Sequence, residues 1–345
     1  MDKPLISVII PYYNTTGVLF DHCIESLRSQ SLQTFEIIVI DDGSSPDHSS
    51  YLTTKYGNDK QIVLIHIQKC GVSRARNTGI SAAKGSFICF VDSDDYVAPY
   101  MLEDLYRCLD RSQTDICISY LSQTDIPNHP FIRNREYKII SMGNPDDKRL
   151  VNSLILRGIN TKKHKYGYLS FGPCAIMLKK STADQFPFPD EIAYMEDVIW
   201  NYRLFNSLNR IAILNETTYA YVSHSDSTTH KYKKEIIEKR ISSLDKIYSL
   251  IRNDPDCIPW YNLRLLCNIS IICYQYAHFS ENRLLTKLIM AYKTIYQEKW
   301  RKKITWETGK NWESRYKLKL LLYKLFLLPI VHFSKELLFT MQKDS

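Results

Sequence analysis

The sequence predicts an α/β protein with a Rossmann-like, mostly parallel sheet covered by helices on both faces, followed by an all-helical C-terminal appendage. In the first part of the chain, short apolar segments alternate with segments of helical periodicity, which is typical of a parallel sheet between two helical layers. From residue 231 onward only helical periodicity follows. The length of 345 residues suggests about two domains, which we place at 1–230 and 231–345.

The first domain is predicted to alternate four strands with three helices. The strands are near-continuous apolar runs at Leu5–Pro11, Phe35–Ile40, Ile62–Ile67 and Phe87–Val91. The helices are predicted over Val18–Ser29, Val72–Ala83 and Met101–Leu109. Ligands of such sheets bind beyond the carboxyl ends of the strands, so the residues that follow each strand are candidates for a site.

The second domain is predicted to be a small helical bundle. Apolar stripes of ordinary packing run through Glu235–Arg252, Leu263–Phe279 and Leu284–Tyr296. The segment around 316–340 instead mixes leucines and aromatics with lysines, and Pro329 interrupts it. We expect this amphipathic segment to lie in a membrane interface with its lysines towards anionic headgroups. A helix packed within the protein, or a dimer contact, remains an open alternative.

Charge separates the two parts of the chain. Residues 226–345 contain 22 basic and 12 acidic side chains, whereas residues 1–225 contain 23 and 25. The basic excess indicates an anionic partner, either nucleic acid or a lipid surface. No nucleic-acid-binding motif is recognisable, so we expect no nucleic acid. The sequence contains no uninterrupted apolar run of about 18 residues, so no transmembrane helix is predicted.

The cysteines and the N-terminus indicate a compartment. Nine cysteines are scattered without disulfide-like pairing or zinc-like spacing, as expected for reduced, buried thiols. The first apolar segment is too short for the core of a signal peptide. We therefore expect a cytoplasmic chain, peripheral on the inner face of the cell membrane.

Three of the four predicted strands end in polar or aromatic motifs. These motifs are Pro11-Tyr12-Tyr13-Asn14, Asp41-Asp42-Gly43-Ser44 and Asp92-Ser93-Asp94-Asp95. Tyrosine rings can stack on a base, and an aspartate can accept a hydrogen bond from a base or ribose. Arg74 and Arg76, early in the helix after the third strand, add positive charge. Carboxylates crowded at one strand end repel one another without a cation, and Mg²⁺ or Mn²⁺ takes oxygen ligands and bridges phosphates. The motifs together predict a site for a metal-bound nucleoside diphosphate.

Each motif also has a purely structural explanation. An Asp-Asp-Gly-Ser run is typical of a turn, and Asp-Ser-Asp-Asp could cap the following helix. The two tyrosines could be core aromatics, and Arg76-Asn77 could be a surface pair on a helix. The placement of the motifs at the ends of successive strands favours the site.

The residues resemble the inverting nucleotide-sugar glycosyltransferases of family 2, which have the GT-A fold, and among them the bacterial polysaccharide-assembly type. The matching segments are Ser7–Asn14, Ile38–Ser44, Gly71–Ile80 and Gly85–Asp95. The resemblance is dense across residues 5–110 and thinner to about residue 230. It implies a donor site in which Pro11 and Tyr13 line the base pocket and Asp42 holds the base, usually uracil. Arg76 and Ser93 would contact the nucleotide.

The resemblance also assigns the acidic residues. Asp92 would face the ribose and Asp94 would be the direct ligand of a Mn²⁺ or Mg²⁺ ion. Tyr194–Trp200 resembles the family's Glu-Asp motif at a helix start, so Asp197 would be the catalytic base and Glu196 a supporting or acceptor-binding group. The structural alternative is a helix that opens with acids because they suit its dipole.

Two segments depart from the family's pattern. Val222 stands where relatives often have an arginine that reaches the diphosphate, and we expect His224 to complete the metal or diphosphate site instead. His230 is a weaker candidate. Cys174 stands where a tryptophan is frequent on the acceptor side, which leaves the acceptor undetermined.

The resemblance implies a metal-dependent transferase of the hexosyl or N-acetylhexosaminyl class. It would move a sugar from a UDP-sugar to a hydroxyl of a lipid-linked glycan in cell-surface polysaccharide synthesis. A non-catalytic nucleotide-sugar-binding or scaffold subunit on the same fold is the alternative, and a nucleotidyltransferase is a lesser one. The sugar, the acceptor, the linkage position and the oligomeric state stay open.

Overall fold

The computed structural model describes residues 3–124, 131–157, 168–169, 171–222, 234–279, 284–310 and 312–334. The chain divides into two compact units: Met1–Ile155 with Ile159–Asp226, and Leu156–Gly158 with Ser227–Ser345. The first unit is of mixed α/β class and the second is helical, as predicted. The predicted domain boundary at residue 230 lies outside the described residues.

The first unit contains one mixed sheet and the helices that cover it. Its strands are β1 (Ile6–Tyr12), β2 (Phe35–Asp42), β3 (Ile62–Ile67), β4 (Phe87–Phe90), β5 (Tyr96–Val97), β6 (Ile116–Thr124), β7 (Tyr137–Ser141), β8 (Tyr168–Leu169), β9 (Ile176–Lys179) and β10 (Arg210–Val222). The helices are α1 (Gly17–Arg28), α2 (Pro46–Tyr56), α3 (Val72–Ala82), α4 (Met101–Ser112), α5 (Pro145–Arg157), α6 (Lys180–Gln185) and α7 (Glu196–Ser207).

The strand order in the sheet is β3-β2-β1-β4-β9-β6-β10-β5, with β7 beside β10 and β8 beside β6. The first four strands in this order are parallel to one another, so their carboxyl ends lie at one edge. Beyond β4 the sheet is mixed, because β9 is antiparallel to both β4 and β6. The expected parallel arrangement therefore applies to the half of the sheet that contains the strand-end motifs.

Strand β1 shows why helices cover both faces of the sheet. Ile6, Val8, Ile10 and Tyr12 belong to one buried cluster with apolar residues of α1, α2 and α4. Ile9 points to the other face, where α3 approaches so closely that a Cβ on Gly79 would lie 2.4 Å from its side chain. Successive residues of a strand face opposite sides, so an apolar residue at every position buries both faces.

The second unit is built from helices α8 (Lys234–Ile251), α9 (Ile258–Phe279), α10 (Leu284–Ile295), α11 (Glu298–Lys303) and α12 (Ser314–Lys324). A 3₁₀ turn at Glu307–Gly309 precedes α12, and residues 328–334 are again helical. Tyr261, Trp300 and Tyr323 are among its fully buried side chains. None of the helices in the described part of the chain has the length and hydropathy that a membrane span requires.

Candidate functional site

The three strand-end motifs meet at the carboxyl edge of the parallel strands. The hydroxyls of Thr15, after β1, and Ser93, after β4, are 2.6 Å apart. Asn14 joins the loops after β1 and β2, because its amide N–H donates to Ser44 Oγ at 3.0 Å and its Oδ1 accepts from the Ser45 amide at 2.8 Å. One continuous surface therefore includes residues that are up to about 80 positions apart in the sequence.

The two tyrosines of the first motif have different roles. Tyr12 is fully buried, packs edge-on against Phe20 and donates its hydroxyl to the Thr15 carbonyl. Tyr13 is 42% exposed, and Lys69 Nζ lies 2.9 Å from the centre of its ring. Of these two tyrosines, Tyr13 is the one with an exposed ring, and a cation already lies beside it. Pro11 is half-buried at the end of β1.

The two aspartates of the second motif are held by different partners. Asp41 accepts from the Ser44 amide, from Ser49 Oγ and from His66 Nδ1; burial alone would raise its pKa, but these hydrogen bonds lower it. Asp42 accepts the backbone N–H groups of Cys70 at 2.7 Å and Gly71 at 2.9 Å. Asp41 therefore belongs to the support of the loop. Asp42 is fixed against the start of α3 and also accepts the Cys70 thiol at 3.3 Å, which leaves about one further acceptor position, since a carboxylate can accept about four hydrogen bonds.

Asp92 connects the third motif to the rest of the site. Its Oδ1 is 3.1 Å from Arg76 Nη2, its Oδ2 accepts from the Cys174 thiol at 3.3 Å, and its amide donates to Tyr219 Oη at 3.0 Å. Burial and the charge of Asp92 raise the pKa of the Cys174 thiol well above its usual range. The thiol is therefore protonated, so it serves as a hydrogen-bond donor to the carboxylate and not as a nucleophile.

Asp95 ties the loop after β4, Asp92–Asp95, which we call the acidic loop, to β10. It is buried and accepts the Tyr219 hydroxyl at 2.7 Å and the Val222 amide at 2.8 Å. Burial, together with the negative charges of Asp92 and Asp94, raises its pKa well above the ordinary value. Three carboxyl groups within four positions therefore oppose one another's ionisation.

The donor atoms at this loop are suited to a hard divalent cation. Ligand atoms of Asp92, Asp95 and Cys174 lie within 4.8 Å of one another. The thiol is protonated and Asp95 already accepts two hydrogen bonds from β10, whereas Asp92 and the half-buried Asp94 of the same loop carry carboxylate oxygens, the kind of ligand that Mg²⁺ or Mn²⁺ prefers. A cation there would offset the repulsion that raises the pKa of Asp95.

Arg76 joins the third motif to the Glu-Asp pair. It is buried, and its guanidinium lies 3.1 Å from Asp92 and 3.3 Å from Glu196 Oε1 while it packs over the Phe188 ring. Burial disfavours the charged form, but the two carboxylates raise the pKa of Arg76 above its ordinary value. Asn77 holds the same segment, because its side chain exchanges two hydrogen bonds of 2.8 Å with the Phe188 backbone. Arg76 and Asn77 are therefore not a surface pair: Arg76 joins α3 to Asp92 and Glu196, and Asn77 fastens α3 to residue 188.

The Glu-Asp pair lies at the start of α7. Met195 precedes the helix in a left-handed conformation with φ of 59°. Burial and the charge of Asp197 raise the pKa of Glu196 to about 7, although Arg76 acts in the opposite direction. Asp197 is half-buried, and its Oδ1 accepts the Val198 amide at 2.9 Å. Both acids suit the positive end of the helix dipole, and Glu196 is also in contact with the donor-side loop through Arg76.

Two predicted residues fall outside the part of the chain that the structure describes, and some residues near the site were not predicted. His224 and His230 lie outside the described residues. The structural role of Tyr219 and the position of Lys69 beside Tyr13 were not predicted. Tyr219 lies three residues before Val222, where the sequence departs from the family's pattern, but nothing in the sequence near Lys69 indicates its contact.

Comparisons with known proteins point to one family. A family model described as glycosyl transferase family 2 matches residues 7–184. The uncharacterized glycosyltransferase EpsJ of Bacillus subtilis (strain 168) is 30% identical over 246 residues, covering 69% of this chain and 67% of EpsJ. The putative glycosyltransferase EpsH of the same organism is 26% identical over 253 residues, covering 70% of this chain and 67% of EpsH.

Solved structures have the same fold. The crystal structure of S. aureus TarS 1–349 in complex with UDP-GlcNAc superposes with a TM-score of 0.55 at 18% identity, covering 98% of this chain and 92% of that one. The complex of the same protein with UDP gives a TM-score of 0.52 at 17% identity, covering 98% and 91%. At this identity the likeness concerns the fold, which is the GT-A fold that the sequence predicts.

Proposed function

Because this chain is a family 2 glycosyltransferase, we propose that it transfers a hexosyl or N-acetylhexosaminyl group from a UDP-sugar to a hydroxyl of a lipid-linked glycan, with inversion and with the help of a divalent metal ion. The product would be a cell-surface polysaccharide or its precursor. One observation supports this most directly: Arg76 bridges Asp92, on the donor side, and Glu196, beside the proposed base. The two halves of a transfer reaction thus share one buried cation.

The donor half would be formed by the loops after β1, β2 and β4. Tyr13 and Pro11 would line the base pocket, and Asp42 would accept the ring N–H of uracil with the acceptor position that Cys70 and Gly71 leave free. Asp92 and Ser93 would contact the ribose. A UDP donor is supported by the relative TarS, whose structures hold UDP-GlcNAc and UDP.

Asp94, with His224 as an expected partner, would hold a Mn²⁺ or Mg²⁺ ion that offsets the charge developing on the leaving diphosphate. Arg76 is engaged by two carboxylates, and we assign it to the support of the site. A direct contact with the nucleotide remains the alternative.

The acceptor half would centre on Asp197. Its carboxylate takes the proton of an acceptor hydroxyl as that oxygen attacks the anomeric carbon. The bond from this carbon to the diphosphate oxygen breaks, UDP leaves with the electron pair, and an α-linked donor gives a β-linked product. Glu196 would bind or orient the acceptor, and its pKa near 7 leaves it partly protonated at neutral pH.

The test is calorimetry of UDP binding with and without Mn²⁺, repeated with GDP. We expect metal-dependent UDP binding that Asp94→Ala abolishes, whereas Asp110→Ala, an exposed acid of α4, leaves it intact. Tight GDP binding would overturn the assignment of uracil to Asp42 and keep the enzyme class. Absence of any nucleotide binding would contradict the donor site.

Asp197→Asn separates the enzyme from a non-catalytic subunit. The amide keeps an oxygen for the Val198 N–H but cannot accept a proton, so transfer from a UDP-sugar should fall by at least about a hundredfold while UDP binding is kept. Unchanged transfer would remove Asp197 from the role of base.

We also propose a peripheral position on the inner face of the cell membrane, where a lipid-linked acceptor would be present. The basic excess of residues 226–345 supports it. The second unit is the part of the chain that would make this contact.

A further inference from the structure

Helix α12 has two apolar faces, and the protein covers one of them. Tyr316, Leu320 and Tyr323 recur at spacings of four and three residues and are buried. Leu318, Leu321 and Leu325 recur at spacings of three and four on the opposite side of the same helix and are 57%, 40% and 55% exposed. At 3.6 residues per turn these two sets lie about half a turn apart. The helix is thus fixed in the unit by its inner face, and its outer face is an exposed leucine stripe.

The stripe continues into the turn that follows α12. Phe326, Leu327 and Ile330 are all exposed, although they are large and apolar. Phe326 has a φ of 59°, a left-handed conformation at a helix end where glycine is favoured and a bulky aromatic is not. Its carbonyl accepts the Tyr292 hydroxyl, which fixes the turn against α10. An unfavourable backbone conformation is therefore retained at a residue that places an aromatic ring on the surface. We call this surface, Leu318, Leu321, Leu325, Phe326, Leu327 and Ile330, the leucine face.

A basic cleft lies directly beside the leucine face. It encloses about 480 Å³ between the end of α10, α11 and the end of α12, and Phe326 is part of its wall. Arg301, Lys302 and Lys324 line it together with Glu298, which is paired with Lys302 at 2.7 Å. Arg301 packs over the Phe326 ring, and burial together with the charge of Arg301 lowers the pKa of Lys324. Arg301 and Lys324 therefore repel each other, and an anion bound between them would stabilise both charges.

The charge around these two features is predominantly positive. Residues 298–331 contain nine lysine and arginine side chains and three glutamates. Apolar residues that face outward, with cations at their edge, match an anionic bilayer, where acyl chains lie below phosphate groups. A second copy of this chain would bring the same excess of positive charge to the contact and would be repelled.

We propose that the leucine face and the adjacent cleft form a preformed binding site for anionic membrane lipid, with the leucines among the acyl chains and a phosphate headgroup between Arg301 and Lys324. The proposal deepens the peripheral position proposed above and rests on it. It differs from a free amphipathic helix that folds on the bilayer, because the inner face of α12 already holds the helix in the protein. Membrane contact and packing within the protein are then not alternatives: each uses its own face of one helix.

The experiment is co-sedimentation of the full chain with vesicles of phosphatidylcholine alone and of phosphatidylcholine with phosphatidylglycerol. We expect binding to the anionic vesicles, weakened by salt, with no change in helical circular dichroism. Leu318→Ser, Leu321→Ser and Leu325→Ser combined should abolish it. Ile139→Ser combined with Leu150→Ser, which changes comparably exposed residues of the first unit, should not.

A second variant tests the cleft. Arg301→Gln combined with Lys324→Gln should weaken binding to anionic vesicles by about 25-fold, since each cation near such a surface contributes about fivefold. Binding to neutral vesicles should not change.

Four results would overturn the proposal. They are equal binding of the protein to neutral and anionic vesicles, undiminished binding of the leucine variant, binding of inorganic phosphate alone that accounts for the cleft, and self-association in sedimentation velocity that the leucine substitutions remove. UDP calorimetry on every variant tests the donor assignment separately from the membrane site, because the donor residues belong to the first unit. Helical circular dichroism identifies a variant whose second unit is misfolded.

Discussion

Arg76→Met tests the bridge between the two halves of the site. Methionine keeps an unbranched side chain that can lie on Phe188, but it removes the cation between Asp92 and Glu196. The Asp92 side chain is 32% exposed and can be solvated, whereas that of Glu196 is only 13% exposed. Removing one partner of a buried pair costs about 3–5 kcal/mol because the other charge is left without a partner. Because one of the two carboxylates is partly solvated, we expect Arg76→Met to lose unfolding free energy near the lower end of this range, about 3 kcal/mol at pH 8.

The loss should depend on pH in a defined direction. Glu196 has a pKa of about 7 with Arg76 present, and removal of the cation moves it higher. Below that value the carboxyl binds a proton and no longer needs the partner, so the difference in unfolding free energy between the wild type and Arg76→Met should shrink from pH 8 to pH 5. Arg76→Lys is the matched control: it keeps one charge but not the fork that contacts two carboxylates, and should lie between the two.

Urea unfolding followed by near-ultraviolet circular dichroism at pH 5 and pH 8 measures this difference, and UDP calorimetry accompanies it. Equal destabilisation at both pH values would refute the role assigned to the Glu196 charge. Unchanged stability together with lost UDP binding would show that Arg76 contacts the nucleotide, as the family resemblance implies, and does not support the site.

Three further predictions concern the support of the sheet and the loop. Gly85→Ala should destabilise the protein by about 1–3 kcal/mol, because its Cβ would lie 2.6 Å from a backbone nitrogen of β1; Gly143→Ala, with no neighbour nearer than 3.7 Å, should be near neutral in the same urea assay. Burial raises the pKa of Glu216 to about 7, so the wild type should lose stability relative to Glu216→Gln as the pH rises from about 5 to 8, and a pH-independent difference would contradict this. Tyr219→Phe removes the donor to Asp95 and the acceptor of the Asp92 amide and should lower the unfolding free energy by about 1–3 kcal/mol. Tyr221→Phe, whose ring is exposed, should leave it unchanged. Equal thermal midpoints for the wild type and Tyr219→Phe would contradict the role of Tyr219 in holding the loop after β4.

Local pattern predicted the parallel half of the sheet well. Strand β3 has the predicted bounds, and β1 and β2 extend past their predicted ends by one and two residues. Helix α2 (Pro46–Tyr56) was missed, because most of its residues are small or polar and only Leu52 and Tyr56 are buried. Ser45-Pro46, a favoured pair at a helix start, was the available indication.

The direction of β9 and the reach of β10 across the sheet depend on pairings between distant segments, which periodicity does not encode.

The same limit applies to the site. The order of the motifs predicted that they meet, but the two-residue period of β1 does not separate Tyr12 from Tyr13, because both faces of that strand are buried. The contact of Arg76 with Glu196 joins residues 120 positions apart, and the thiol of Cys174 reaches Asp92 over 82. No local pattern connects such pairs, since each is set by how α7 and β9 pack beside β4.

The tether of the acidic loop by Tyr219 and Val222 has a consequence for synthesis of the chain. The loop after β4 leaves the ribosome about 130 residues before the strand that holds it. At about 5–20 residues per second, the interval is on the order of 10 s. During that time the nascent chain has the crowded carboxylates but neither the phenol nor the amide that binds Asp95. The loop after β4 therefore reaches its folded arrangement only once β10 has been synthesised and the first unit is finished.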